Sequence, residues 1–290
     1  MQASSKATRD GGSYLCTVLN GLALTILAVT LTGPVHEGVH MVTQVAAGCT
    51  PHFLSFGVME AVGTRTVNMD STFWRLMFDG SAALFNVVVG IALTVVLHKA
   101  RLKPLSRQFT VLLALFHLCM GFGYFLRDGI AYSPGNGMGD WSKVLDNFDG
   151  NPGLRIGMLV VGSAGYLFAL YLAYREVYHF IEHNEDKPER MRVTSAIYLW
   201  PYLFNAVVFT ALTLLSPLGA LDSLIISGVL NLFGYFPLMI GFLYAGFVLK
   251  PMKKNIFYFS PCAKREPLLW VVALVVLALD AFVVCPGIYF

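Results

Sequence analysis

The chain has 290 residues, of which 56% are hydrophobic and only 13% charged, about half the charged share of a soluble domain. A soluble fold this apolar would expose large sticky patches, which lipid instead accepts. The formal net charge of +3 comes with no dense basic patch carrying interleaved aromatics, so nucleic acid is not an expected partner.

Residues 1–13 form a short polar tail, and an apolar run begins at Tyr14. No small-x-small site ends that run, so it is expected to stay as a membrane segment rather than be cleaved as a leader. Apolar stretches fall at 14–47, 78–98, 108–127, 154–178, 194–216, 222–249 and 267–287. Each but the first fits one helical crossing of about 20 residues. The fold class that follows is an all-α polytopic membrane protein of about seven transmembrane helices, built as one membrane domain. The first stretch is too long for one straight crossing, since its helix would reach about 51 Å. Gly33-Pro34 lies inside it and is expected to kink it or break it in two. Segment 48–77 does not read as a span. Within it, residues 52–68 hold short apolar pieces broken by Gly57, Gly63 and threonines, which suggests a β-hairpin or loop at the interface. The five cysteines (Cys16, Cys49, Cys119, Cys262 and Cys285) are scattered with no CxxC pair. They read as small buried apolar residues rather than a disulfide framework or a metal site.

Charge distinguishes the two sides. The stretch 98–107 holds Lys99, Arg101, Lys103 and Arg107 and no acid, and 250–265 holds Lys250, Lys253, Lys254, Lys264 and Arg265. The loop 179–193 carries Lys187, Arg190 and Arg192 among acids. By contrast, 128–153 holds Asp128, Asp140, Asp146 and Asp149 against one lysine. Seven crossings put the basic loops together, and the positive-inside rule makes that side cytoplasmic, with the N-terminus inside and the C-terminus outside.

Residues 36–40 read His-Glu-Gly-Val-His. On a helix, positions i and i+4 share a face, so His36 and His40 can present two imidazoles to one zinc ion. Glu37 beside them can act as general base towards a water that the metal activates. Two histidines and a glutamate in an otherwise apolar run are costly at membrane depth and are usually functional. The bland alternative is a polar helix end at the interface. A third protein ligand is needed, and the candidates lie in the glycine- and aspartate-rich stretch 128–153. Asp140 is expected to open a short helix over Trp141–Leu145, with an ordinary N-cap as its bland reading. Asp149, followed by Gly150, reads otherwise as a turn. Glycines there let the backbone fold back into a crowded site.

Other polar residues have plainer readings. His52, His179 and His183 read as solvated, and His98 as a headgroup-level residue at a span end. His117, in mid-span, fits a packing histidine, with a supporting role beside the site as the alternative. Asp280, within the last run, should find a partner such as a serine or tyrosine.

The HExxH at 36–40 inside an apolar helix, the hairpin-like stretch 52–68, the span beginning Gly80-Ser81-Ala82-Ala83-Leu84-Phe85-Asn86 and a later aspartate in a glycine-rich setting together resemble the site-2 protease family of intramembrane zinc metalloproteases. The likeness covers about residues 14–178, which makes that stretch a metalloprotease-like membrane core and 179–290 additional membrane helices. The chain departs from the family pattern in lacking a proline after Gly80 and an evident Asn-x-x-Pro before the aspartate. The resemblance implies a Zn2+ cofactor and cleavage of membrane-spanning protein or peptide substrates within the lipid bilayer. It also implies His36, His40 and one aspartate as ligands, Glu37 as the catalytic base, and Asn86 as a group that holds substrate. Gly139-Asp140-Trp141 looks like divergent members of the family, while Asp149-Gly150 matches its common motif in letters. Asp140 is the preferred ligand, and Asp149 stays open. Asn86 has an interhelical hydrogen bond as its plain reading. The family usually keeps its site near the cytoplasmic side, against the charge pattern above. The competing functions are a transporter whose helices break at glycine and proline, and a non-proteolytic metal-binding scaffold.

Overall fold

The computed structural model describes residues 11–135, 139–181, 187–217, 234–247 and 264–290. Element order is α1 (Gly11–Ala46), β1 (Thr50–Leu54), β2 (Met59–Val62), α2 (Thr72–Lys99), α3 (Pro104–Ala131), α4 (Asp140–Asn147), α5 (Pro152–Val177), α6 (Lys187–Thr194), α7 (Trp200–Leu215), α8 (Phe236–Phe247), α9 (Pro267–Leu279) and β3 (Ile288–Tyr289). One π-helical turn at Ser195–Leu199 joins α6 to α7, and another at Asp280–Val284 follows α9.

The protein is an all-α polytopic membrane protein. Among the described residues, six helices are long and apolar enough to cross a membrane: 14–46, 72–99, 104–131, 152–177, 187–215 and 267–284. The remaining expected span, 222–249, lies largely outside the described residues, with α8 as its described part. The polar tail falls mostly outside them too.

Polarity is arranged as lipid requires. Val42, Val88, Leu167, Leu274 and Phe282 face outward and are well exposed, while Asn20, Thr25, His36, Asn86, Gln108, His117 and Glu176 are buried. With no water in the hydrocarbon, polar groups gather where other protein groups can satisfy them. α3 is the central post. It packs on α1, α2 and α5, and Val111, Leu112, Leu115, Phe116 and Leu118 are wholly buried along it.

The expected break of α1 does not occur, because the helix runs unbroken for 36 residues with Pro34 inside. Proline removes one intrahelical hydrogen bond, a loss that packed neighbours in a membrane protein make tolerable. The hairpin supplies such packing: a side chain at Gly33 would lie 3.1 Å from the Phe56 ring. Thr25, Thr30, Thr32 and Thr43 return their hydroxyls to carbonyls one turn back, so α1 carries them at little polar cost.

The expected hairpin forms as β1 and β2, antiparallel, with an irregularity between Pro51 and Phe53. The sequence held no sign of the third strand. β3, from the far end of the chain, pairs with β1 and places Phe53 opposite Tyr289, giving the order β2-β1-β3. Ser55 donates its hydroxyl to the Cys285 carbonyl at 2.8 Å.

Two residues read as loop charges belong inside helices. Arg107 is buried in the first turn of α3, where it donates to Glu176 Oε2 (2.6 and 2.9 Å) and to the Leu97 carbonyl. Asp128 is buried near the end of α3. Both runs were read too short because a single charge ends an apolar count, whereas the helix continues until its backbone finds other partners.

Candidate metal centre

The last third of α1 carries the site. One helical turn separates His36 from His40, and their rings meet edge to face at 5.0 Å. His36 is fully buried and His40 nearly so. Asp140 arrives from α4, and its Oδ2 lies 3.0 Å from His36 Nε2 and 3.0 Å from His40 Nε2. The His36 contact is a hydrogen bond. His40 Nε2 is not aligned for one and is buried without a hydrogen-bond partner among the described residues.

This arrangement fits a metal. Two imidazole nitrogens and a carboxylate oxygen are gathered within 4.8 Å of one another. Ligands at about 2.0–2.1 Å from a tetrahedral ion stand roughly 3.3 Å apart. The two oxygen–nitrogen separations of 3.0 Å are close to that, and an orphaned buried nitrogen is what a missing bond leaves behind. Glu37 sits in the electrostatic reach of His36, His40 and Asp140.

The position of Asp140 is set from both ends of α4. At its start, Asp128 Oδ2 accepts from the backbone N–H of Trp141 (2.9 Å) and Ser142 (3.3 Å). It thus caps the helix from another element, a role usually filled by the N-cap side chain. That leaves Asp140 free to face the histidines rather than serve as a cap. At the other end, Arg75 of α2 donates to the Asn147 carbonyl, and Asn147 Nδ2 donates to Asp79 at 2.9 Å. In between, Trp141 packs at 4.4 Å on the ring of Phe125 and close against Gly80. Burial alone would raise the Asp140 carboxyl, but His40 and His36 beside it hold it well below the usual carboxylate range.

Asp149 is not part of this group. Its backbone takes a left-handed φ of 54°, its side chain is 97% exposed, and the Arg75 guanidinium stands 3.8 Å away. The turn reading therefore describes it.

Asn86 is brought to the site, fully buried, with its amide held at both ends. Nδ2 lies 2.9 Å from His36 Nδ1, and Oδ1 lies 2.9 Å from His117 Nδ1. Asn86 lies in mid-helix, since α2 starts at Thr72 rather than near Gly80. His117, favoured as mere packing from the sequence, is thus hydrogen-bonded towards the site. Sequence reasoning missed Asp128 and Tyr124. The Tyr124 ring stacks on His36 (5.2 Å, 9° between planes), and the Arg127 guanidinium lies over the Tyr124 ring, 4.4 Å from its centre. Helical spacing carried a signal for them: 117, 124 and 128 recur at intervals of seven and four on one face of α3. Away from the centre, His52 pairs with Glu60 at the surface (3.2 Å) and His98 with Arg175 (2.8 Å). Asp280 is buried, and its Oδ2 finds no hydrogen-bond partner among the described residues, contrary to expectation.

No protein-family model matches the chain, and no curated protein or solved structure matches it either.

Proposed function

We propose that the protein is a membrane-embedded zinc metalloprotease that hydrolyses peptide bonds in membrane protein substrates. The observation that carries this reading is the convergence of His36 and His40 of one membrane helix with Asp140 of another element on a single point, with a glutamate next to the first histidine. A pure binding site has no need of that base. The resemblance of the sequence to site-2 proteases supports the same reading.

His36, His40 and Asp140 would hold the ion. Bound zinc would polarise the scissile carbonyl and make water acidic enough to ionise near neutral pH. Glu37 takes the proton of the attacking water and returns it to the leaving amine. Asp128 and Gly139 orient Asp140, and the buried surroundings of His36 keep bulk water from competing. By the positive-inside rule, the basic stretches 98–107 and 250–265 support an N-terminus in the cytoplasm and this centre on the opposite side.

Zinc content and peptide hydrolysis of detergent-purified protein test the reading together. The native chain is expected to carry about one zinc ion, and His36→Ala and Asp140→Ala to lose it. Asp149→Ala should keep it. Glu37→Gln should keep the metal while hydrolysis of a membrane-spanning peptide falls by about 10²–10⁴-fold. A native protein that stays metal-free when zinc is supplied would refute the proposal.

A further inference from the structure

Four polar groups from four elements form one buried line. His117 of α3 meets Asn86 of α2 at 2.9 Å, Asn86 meets His36 of α1 at 2.9 Å, and His36 meets Asp140 of α4 at 3.0 Å. His117 is 4% exposed and Asn86 is fully buried. The positions flanking His117 on α3 (Leu115, Phe116, Leu118) are wholly buried apolar residues, so packing alone would be served there by a leucine or phenylalanine.

Counting protons along the line shows what a histidine adds. An amide has one end that donates and one that accepts. As arranged, Asn86 Nδ2 donates to His36 Nδ1, and His117 donates from Nδ1 to Asn86 Oδ1. The His36 proton is then on Nε2, directed at Asp140. A metal on His36 Nε2 needs the lone pair of that nitrogen, so the proton must sit on Nδ1. Asn86 must then turn its oxygen to His36, which directs its NH2 at His117 Nδ1. His117 can accept there, because its proton can move to Nε2. Both arrangements keep the two contacts of the Asn86 amide, to His36 Nδ1 and His117 Nδ1, matched donor to acceptor, and they differ by a half-turn of the amide and a tautomer change in each ring. The Tyr124 ring already fixes the plane of His36, which leaves the tautomer as the open variable.

We infer that His117 is a positioning residue for His36, acting through the Asn86 amide, and that it thereby governs how tightly the His36–His40–Asp140 group binds zinc. The inference rests on the metal reading above. A substitute at 117 that neither donates nor accepts leaves one end of the amide buried and unpaired.

The test is zinc affinity of the full chain in detergent, by competition with a chelator, with zinc alone as the probe. His117→Phe is expected to weaken binding about 10- to 100-fold. His117→Gln should recover most of the loss, because its amide can donate or accept. Asn86→Asp should bind tightly, since a carboxylate only accepts and so holds the proton on His36 Nδ1. Adding His117→Phe to Asn86→Asp should then change affinity by less than about threefold, the non-additivity expected of residues in one network. Unchanged affinity in His117→Phe, or equal loss in both backgrounds, overturns the inference while the metal reading stands. Absence of zinc from the native chain would bring down both.

Discussion

Gly139 is the residue on which the placing of Asp140 depends. A methyl group there would lie 2.3 Å from both carboxylate oxygens of Asp128 and 2.4 Å from an Arg127 nitrogen. Gly139→Ala should therefore displace the cap of α4 and cost about 1–3 kcal/mol. Zinc affinity should fall by an order of magnitude or more while helix content by circular dichroism holds, and unaltered affinity would remove Asp128 and Gly139 from the account. The pH dependence has a definite sign. Imidazoles ligate only when neutral, so affinity should fall as pH is lowered. His40 and His36 hold the Asp140 carboxyl well below the usual carboxylate range, so loss of its charge does not account for the decline. Isothermal titration at several pH values checks the direction. The two histidines were legible in the sequence because one turn of helix makes i and i+4 neighbours. The choice of Asp140 over Asp149 was not, since it depends on which aspartate ends up on a free turn and which on a pinned helix.

The helices are tied at their ends rather than by their apolar faces alone. At the end opposite the His36–His40–Asp140 group, Arg107 and Glu176 form a buried pair (side chains 5% and 0% exposed) that also engages the end of α2 through the Leu97 carbonyl. Arg107→Ala should leave Glu176 buried and unpaired, at a cost of about 3–5 kcal/mol, and replacing both partners with methionine should recover most of the loss. Thermal unfolding in detergent would show it, and a single variant no less stable than the native chain would make the pair dispensable. At the other end, Arg155 of α5 donates to the Gly129 and Ile130 carbonyls that close α3, a favourable place for a cation at a helix C-terminus. The hairpin was visible from its glycines and short apolar pieces. Its partnership with β3 joins residues more than 200 positions apart, which no local pattern encodes.

Over the whole molecule, the helix ends sort into two groups. The starts of α1, α3 and α9, the turn joining α6 to α7 and the ends of α2 and α5 share one end, as the contacts Tyr14–Ser195, Asn20–Lys264, Arg107–Glu176 and His98–Arg175 attest. The hairpin, α4, the start of α5 and β3 share the other end with His36, His40 and Asp140. Among the described residues, Lys99, Arg101, Lys103, Lys264 and Arg265 belong to the first end, and Arg65, Arg75, Lys143 and Arg155 to the other. The positive-inside rule predicts that a single cysteine placed at Lys103 reacts only from the cytoplasmic side and one placed at Asp149 only from the opposite side. The reverse pattern would put the centre on the cytoplasmic side, where site-2 proteases usually keep theirs.

Hydrophobic run length and the spacing of a five-residue motif are local quantities. From them alone followed the membrane class, most of the spans, the hairpin and the pair His36 and His40, because each depends on neighbours along one helix or one strand. Tertiary structure decided the rest: that α1 passes Pro34 without a break, that Asp140 joins the histidines, that Asp128 holds it there, and that Asn86 lies between His36 and His117. Those outcomes depend on where separate helices pack, and in a bilayer that packing is governed by buried polar groups finding one another at a distance in the chain.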